Sequence, residues 1–192
     1  AILQSALQIF SERGFDGAST RDIADHAKVH HALIKYYFNN KETLWRSAVT
    51  FLFDRQAAEM SFERPTGKLK TPRSRREYAR EVLRHYVLYC ARHPEHARLM
   101  MQESVHDTPR LEWAAQTFIS GTARSAEQFV RVLQREGVLP EVSVPALVYI
   151  IVGGAQLFYA LAPEVRHVWG VDPSDEAVTA AHIEALLAVL VR

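Results

Sequence analysis

Residues 19–45 read STRDIADHAKVHHALIKYYFNNKETLW, and the fold turns on this stretch. Ser19 stands three residues before Asp22, the spacing of a capping box, in which the hydroxyl accepts from a backbone N–H and the carboxylate reaches back. Ile23 and Ala27 lie one turn apart, so a helix of about two turns with one inward face is expected. The pattern breaks at Lys28-Val29. A second short helix is predicted from about His30 to Tyr37, with Leu33, Ile34 and Phe38 as its apolar contacts. Asn40 then caps a longer helix that begins at Lys41. Two short helices joined by a tight turn make a helix-turn-helix, whose second helix can enter a DNA major groove.

Working outward, Ile2, Ala6, Ile9 and Phe10 recur at helical spacing, and Gly14 ends that first helix as a C′ glycine. The helix from Lys41 is read through residue 63 with Leu44, Ala48, Phe51, Leu52 and Phe53, which joins the small head rigidly to the remainder of the chain. Residues 64–76 hold two prolines, a glycine and many basic side chains, and are read as a loop. Over 64–80 there are seven Lys or Arg against Glu77, so this run is a solvated basic segment or an additional phosphate contact. Further helices are predicted from Ser74 to Arg92, from Pro94 to Val105, from Leu111 to Glu136, over 145–163, and from Asp172 to Val191. The last two are apolar on more than one face, as helices of a dimer interface are. No strand is predicted.

The 192 residues are 48% hydrophobic, enough to bury a sizeable core. A net charge of +1 excludes attachment to nucleic acid by bulk positive charge, so any DNA contact must come from a local patch. The single cysteine, Cys90, excludes an intramolecular disulfide framework and fits a reducing cytoplasm. No secretory signal is read. The apolar run PALVYIIVGGAQLFYALAP, 145–163, approaches a bilayer span in length, but Gln156 at its middle, acidic flanks and the lack of a Lys/Arg cluster favour a buried helix; no membrane contact is expected.

With these spacings in place, residues 1–44 resemble the DNA-binding domain of the TetR family of bacterial transcriptional regulators. The likeness is carried by Phe10 and Gly14, Ser19-Thr20, Ile23-Ala24, Val29, Phe38, and Asn40-Lys41 before Leu44. The remainder matches in helix number and length alone. The resemblance implies an all-α fold: a three-helix head with the helix-turn-helix over residues 1–46, and a long helix leading to a C-terminal helical bundle, 47–192, with a ligand pocket and a dimer interface. By position it implies DNA contacts at Thr20, Arg21, His30, His31, Ala32, Lys35, Tyr37 and Lys41. Lys41 would hold a phosphate, Thr20 and Arg21 would make phosphate or groove-edge contacts, Lys35 and Tyr37 would contact the backbone, and His31 and Ala32 would face base edges. Four positions depart from the pattern: Lys28 replaces the usual turn glycine, His30 the usual serine cap, and Lys35 and Tyr37 the usual Tyr and His.

Other clusters carry less chemistry. His93, Glu95, His96, His106 and Asp107 surround one helix, but no third ligand completes a metal set, and a solvated helix end is expected. No nucleophile elbow or phosphate loop is present, so neither catalysis nor a cofactor is expected. Tyr86, Tyr89, Met100, Trp113, Phe118, Tyr149, Gln156 and Tyr159 are candidate lining for a small apolar or aromatic effector. The expected protein is therefore a cytoplasmic homodimeric repressor, paired through its two C-terminal helices and released from a palindromic double-stranded operator by that effector. The competing reading is a small-molecule-binding or enzymatic bundle whose head no longer reads DNA.

Overall fold

The computed structural model describes residues 1–61 and 71–192. Among these, every regular element is helical. Residues 64–70 of the basic run at 64–80, read as a solvated segment or an additional phosphate contact, lie outside the described residues. The chain packs as two units: Ala1–Ala58 with Glu95–Ile119, and Glu59–Pro94 with Ser120–Arg192.

The first unit begins with α1 (Ile2–Gly17), α2 (Thr20–Ala27), α3 (His31–Phe38) and α4 (Lys41–Met60), whose last two residues belong to the second unit. Helix α4 runs without a break through the 46/47 boundary read from the sequence. Helix α1 leaves helical geometry at Gly14, where φ is 69° and an added Cβ would stand 2.5 Å from Gln102 Oε1. A side chain at Gly14 is therefore opposed by both backbone and space. Leu7, Phe10, Ile23, Ile34, Leu44, Trp45 and Leu52 form the core of this unit, joined by Leu99 and Ala114 from α6 (Pro94–His106) and α7 (Pro109–Ala114).

In the second unit, α5 (Pro72–Arg92) starts two residues earlier than the sequence pattern shows. Thr71 accepts from Ser74 N–H, and proline occupies the first helical position, where no N–H is missed. Arginine supplies the ion pairs here: Arg75 with Glu136, Arg80 and Arg84 with Glu184, and Arg92 with Glu59. The helix predicted over Leu111–Glu136 is interrupted by a π-helical segment at Ala115–Ile119, after which α8 (Ser120–Arg135) resumes in the second unit. Val130 and Leu133 of α8 pack with Leu83, Val87, Leu147, Ile151, Ile183 and Leu187.

The apolar run at 145–163 is two helices, α9 (Val144–Ala160) and α10 (Ala162–Trp169), bent by 73°. Pro163 sits in the first turn of α10 and breaks the ladder of α9. Among the described residues no single helix is long and apolar enough to cross a membrane. The last helix, α11 (Glu176–Leu190), begins later than Asp172-Pro173 because Asp175 is its cap; Asp172 instead accepts from Ser174 N–H in the preceding turn. At Gly154 of α9 an added Cβ would be 2.8 Å from Leu186 Cδ1 of α11. His182 of α11 is bonded to the Gly154 backbone and, through Nδ1, to the Tyr159 hydroxyl at 3.0 Å; burial holds its pKa below the usual histidine value. The Cys90 thiol is buried and pushed up to about 12 by desolvation, so it fills the core rather than reacting.

Of the histidine and acid cluster, His106 and Asp107 are exposed at the end of α6 as expected, whereas His93, Glu95 and His96 are not at a solvated helix end. His93 Nε2 meets Glu59 at 2.8 Å, Arg55 meets Glu95 at 2.7 Å with both side chains nearly buried, and His96 packs edge-on against Phe53. Each of these side chains is thus engaged within its own unit rather than left to solvent.

Candidate DNA-binding face

The corner between α2 and α3 forms as its local chemistry dictates. Ser19 Oγ accepts from Asp22 N–H at 3.1 Å and Ser19 N–H donates to the Asp22 carboxylate at 3.2 Å, so both halves of the capping box are closed. The Ser19 hydrogen bonds hold the Asp22 carboxyl below its usual pKa. Lys28 takes the left-handed conformation, φ 55° and ψ 42°, and its N–H donates to Ala24 and Asp25 carbonyls. The turn therefore keeps its geometry without glycine, at a backbone cost of ~1–2 kcal/mol. His30 replaces a hydroxyl cap with a ring nitrogen: Nδ1 accepts from Ala32 N–H at 3.3 Å. His31 Nε2 and Thr20 Oγ1 hydrogen-bond at 3.0 Å and tie α3 to α2.

Only Ile34 is buried in α3. Phe38 packs against the core and His31 is half-buried, while Ala32, Leu33, Lys35, Tyr36 and Tyr37 are exposed. Tyr36, at 80% exposure, is not singled out by the sequence pattern; it packs T-shaped on Tyr37 at 5.1 Å. Arg21 is also exposed. Beside α3 lies a recess of about 310 Å³ lined by Ala18, Ser19, Thr20, His31, Ile34, Lys35, Asn39, Asn40 and Lys41. It gathers hydroxyl, amide, imidazole and ammonium groups, which suits a phosphate oxygen.

Lys41 is not a freely projecting cation. Its Nζ donates to the carbonyls of Phe15 at 2.8 Å and Ala18 at 3.0 Å, and lies 4.4 Å from the Phe15 ring centroid. His30 is occupied as a cap. Of the eight DNA-contact candidates, Thr20, His31, Lys35 and Lys41 line the recess, whereas Arg21, Ala32 and Tyr37 are exposed elsewhere on the motif.

The effector candidates fall into both units. In the second, Gln156 Nε2 donates to the Tyr86 hydroxyl at 2.9 Å, and Tyr89 and Tyr159 are buried nearly completely. Burial pushes the Tyr86 hydroxyl far above its usual pKa and Tyr159 up to about 12. Tyr149 is 77% exposed and does not join that buried group. Met100, Trp113 and Phe118 belong to the first unit, where Trp113 and Phe118 meet at 5.5 Å.

A three-helix unit with a capped, left-handed turn and an outward recognition helix defines a helix-turn-helix protein. Residues 2–48 match the profile of the bacterial regulatory proteins of the tetR family. The transcriptional repressor NicS of Pseudomonas putida is 32% identical over 106 residues, 55% of this chain and 47% of NicS, so that match spans about half of NicS. The transcriptional regulator RutR of Escherichia coli K12 is 28% identical over 202 aligned residues, covering 100% of this chain and 87% of RutR. A crystal structure of a HlyIIR mutant shares the fold at TM-score 0.69 and 24% identity, covering 98% of this chain and 94% of that one. The head of the chain, residues 2–48, is thus similar to the bacterial regulatory proteins of the tetR family.

Proposed function

We propose that this protein is a ligand-responsive transcriptional repressor that binds a palindromic operator as a homodimer, one α3 per half-site. The observation that carries the reading is α3, with Ile34 its only buried residue, beside a polar recess that holds Lys41. Lys28 and His30, which depart from the family pattern, keep the turn and the cap, and this favours a head that reads DNA over a bundle that has lost the ability. That NicS is a transcriptional repressor supports repression as the outcome. The family's members are transcriptional regulators, and catalysis has no part in the proposal.

Pairing is proposed through α9 and α11. Ile150, Gly154, Leu157 and Leu161 recur along one side of α9, and His182, Leu186 and Val189 along one side of α11. The two rows meet at Gly154 and Leu186, and Ile150, Leu157, Leu161 and Val189 are 40–77% exposed. A second copy would cover this continuous apolar face. The effector is proposed as a small apolar or aromatic molecule held among the tyrosines and Gln156 of the second unit. Its binding would bias α4, which starts in the recess, and so lower operator affinity.

The test is a gel shift with duplexes enriched by the protein from a random-sequence pool. Lys41→Ala is expected to weaken binding to every sequence and to flatten its salt dependence, while His31→Ala changes the order of preference among sequences. Uniform loss across sequences for both variants would contradict this division of roles.

A further inference from the structure

We propose that Arg110, held by Glu103, positions Lys41 for the DNA backbone. The inference rests on the DNA-binding reading above. An ammonium has three N–H donors. Two of those on Lys41 go to Phe15 and Ala18 carbonyls, which leaves the third for an acceptor in the recess that Lys41 lines. Both carbonyls lie on the short segment after Gly14, so whatever fixes that segment fixes the ammonium.

Arg110 fixes it. Its guanidinium carbon lies 3.8 Å from the Phe15 ring centroid, the same ring that Lys41 covers at 4.4 Å. Two cations on one ring repel each other, and the arrangement holds because a carboxylate offsets one of them. Arg110 Nε donates to the two Glu103 oxygens at 3.1 and 3.3 Å, and Glu103, only 3% exposed, also accepts from the Thr108 hydroxyl at 2.6 Å. Gln102 adds a hydrogen bond to the Ser11 carbonyl at 2.8 Å. The corner between α6 and α7 thus clasps the end of α1 and, through Phe15, sets where Lys41 stands. Arg110 is a positioning residue; it lines no part of the recess.

The experiment measures affinity for the enriched duplex across a salt series, alongside thermal unfolding. Arg110→Ala is expected to weaken binding roughly tenfold per head. It is also expected to flatten the slope of log K against log salt by about 0.9 per head, one phosphate contact, as Lys41→Ala does. The double variant is expected to bind no more weakly than Lys41→Ala alone, because both remove one contact. Arg110→Lys, which keeps a cation on the ring, is expected to recover most of the slope. An Arg110→Ala protein that melts lower but keeps the full salt slope, or losses that add in the double variant, would overturn the proposal. Should Arg110→Ala fail to fold, Glu103→Gln decides: a flattened slope supports the positioning role and an unchanged slope removes it. A wild-type protein that enriches no duplex overturns the DNA-binding reading itself, and this inference with it.

Discussion

The double variant Ile150→Glu/Val189→Glu is expected to sediment as a monomer at micromolar concentration and to lose operator affinity by on the order of a hundredfold or more. Ile150 is 54% and Val189 77% exposed in the single chain, so neither substitution disturbs packing within the protomer. Each glutamate would be buried against its symmetry mate if the face pairs, and an unpaired buried carboxylate costs several kcal/mol. Because a two-fold interface repeats every contact, the cost is counted twice. Loss of pairing converts two linked half-site contacts into independent weak ones, which is why affinity falls so far. A variant that still sediments as a dimer would place the interface elsewhere.

Trp45→Ala is expected to destabilise the fold by ~3–5 kcal/mol, read as a lower urea midpoint. Trp45 is fully buried, meets Trp113 at 5.9 Å and lies under Arg110 at 5.8 Å. Truncation empties the centre of the first unit and leaves Arg110 with one ring fewer. Trp45→Phe is the informative control. The indole Nε1 is buried without a hydrogen-bond partner, so phenylalanine removes a polar group that the core does not satisfy. Phenylalanine is therefore expected to cost far less than alanine, despite its smaller volume. Equal losses for the two would mean that indole volume, not core filling in general, decides the site.

How much of the fold is legible in the sequence depends on distance along the chain. The capping box at Ser19 and Asp22, the Asn40 cap and the inward Ile23 and Ile34 are local signals, and they place the helix-turn-helix within a residue or so. Asp172-Pro173 imitates a helix start, yet Asp172 caps a turn and Asp175 caps the helix, a choice made by packing. The π-helical segment is hidden in the sequence because Leu111, Ala114 and Phe118 keep helical spacing across it. For the candidate site, position in the motif points to Lys41, but its carbonyl partners 26 and 23 residues away leave no periodic trace. Tyr36 gives no signal of its own, because an exposed aromatic on a short helix looks like core until its neighbours are known. The effector candidates are chosen by residue type, and type does not separate the buried Tyr89 from the exposed Tyr149.

The arginine ion pairs of the second unit have a consequence for covalent labelling. The chain holds five lysines, at 28, 35, 41, 68 and 70, and none beyond. Lys28 and Lys35 stand exposed beside the recognition helix, while Lys41 is partly covered under its carbonyls. An acylating reagent that attacks primary amines would thus mark the helix-turn-helix together with Lys68 and Lys70 and leave the whole of α5 to α11 untouched, so that under the proposed function bound duplex would act as a protecting group for Lys28 and Lys35.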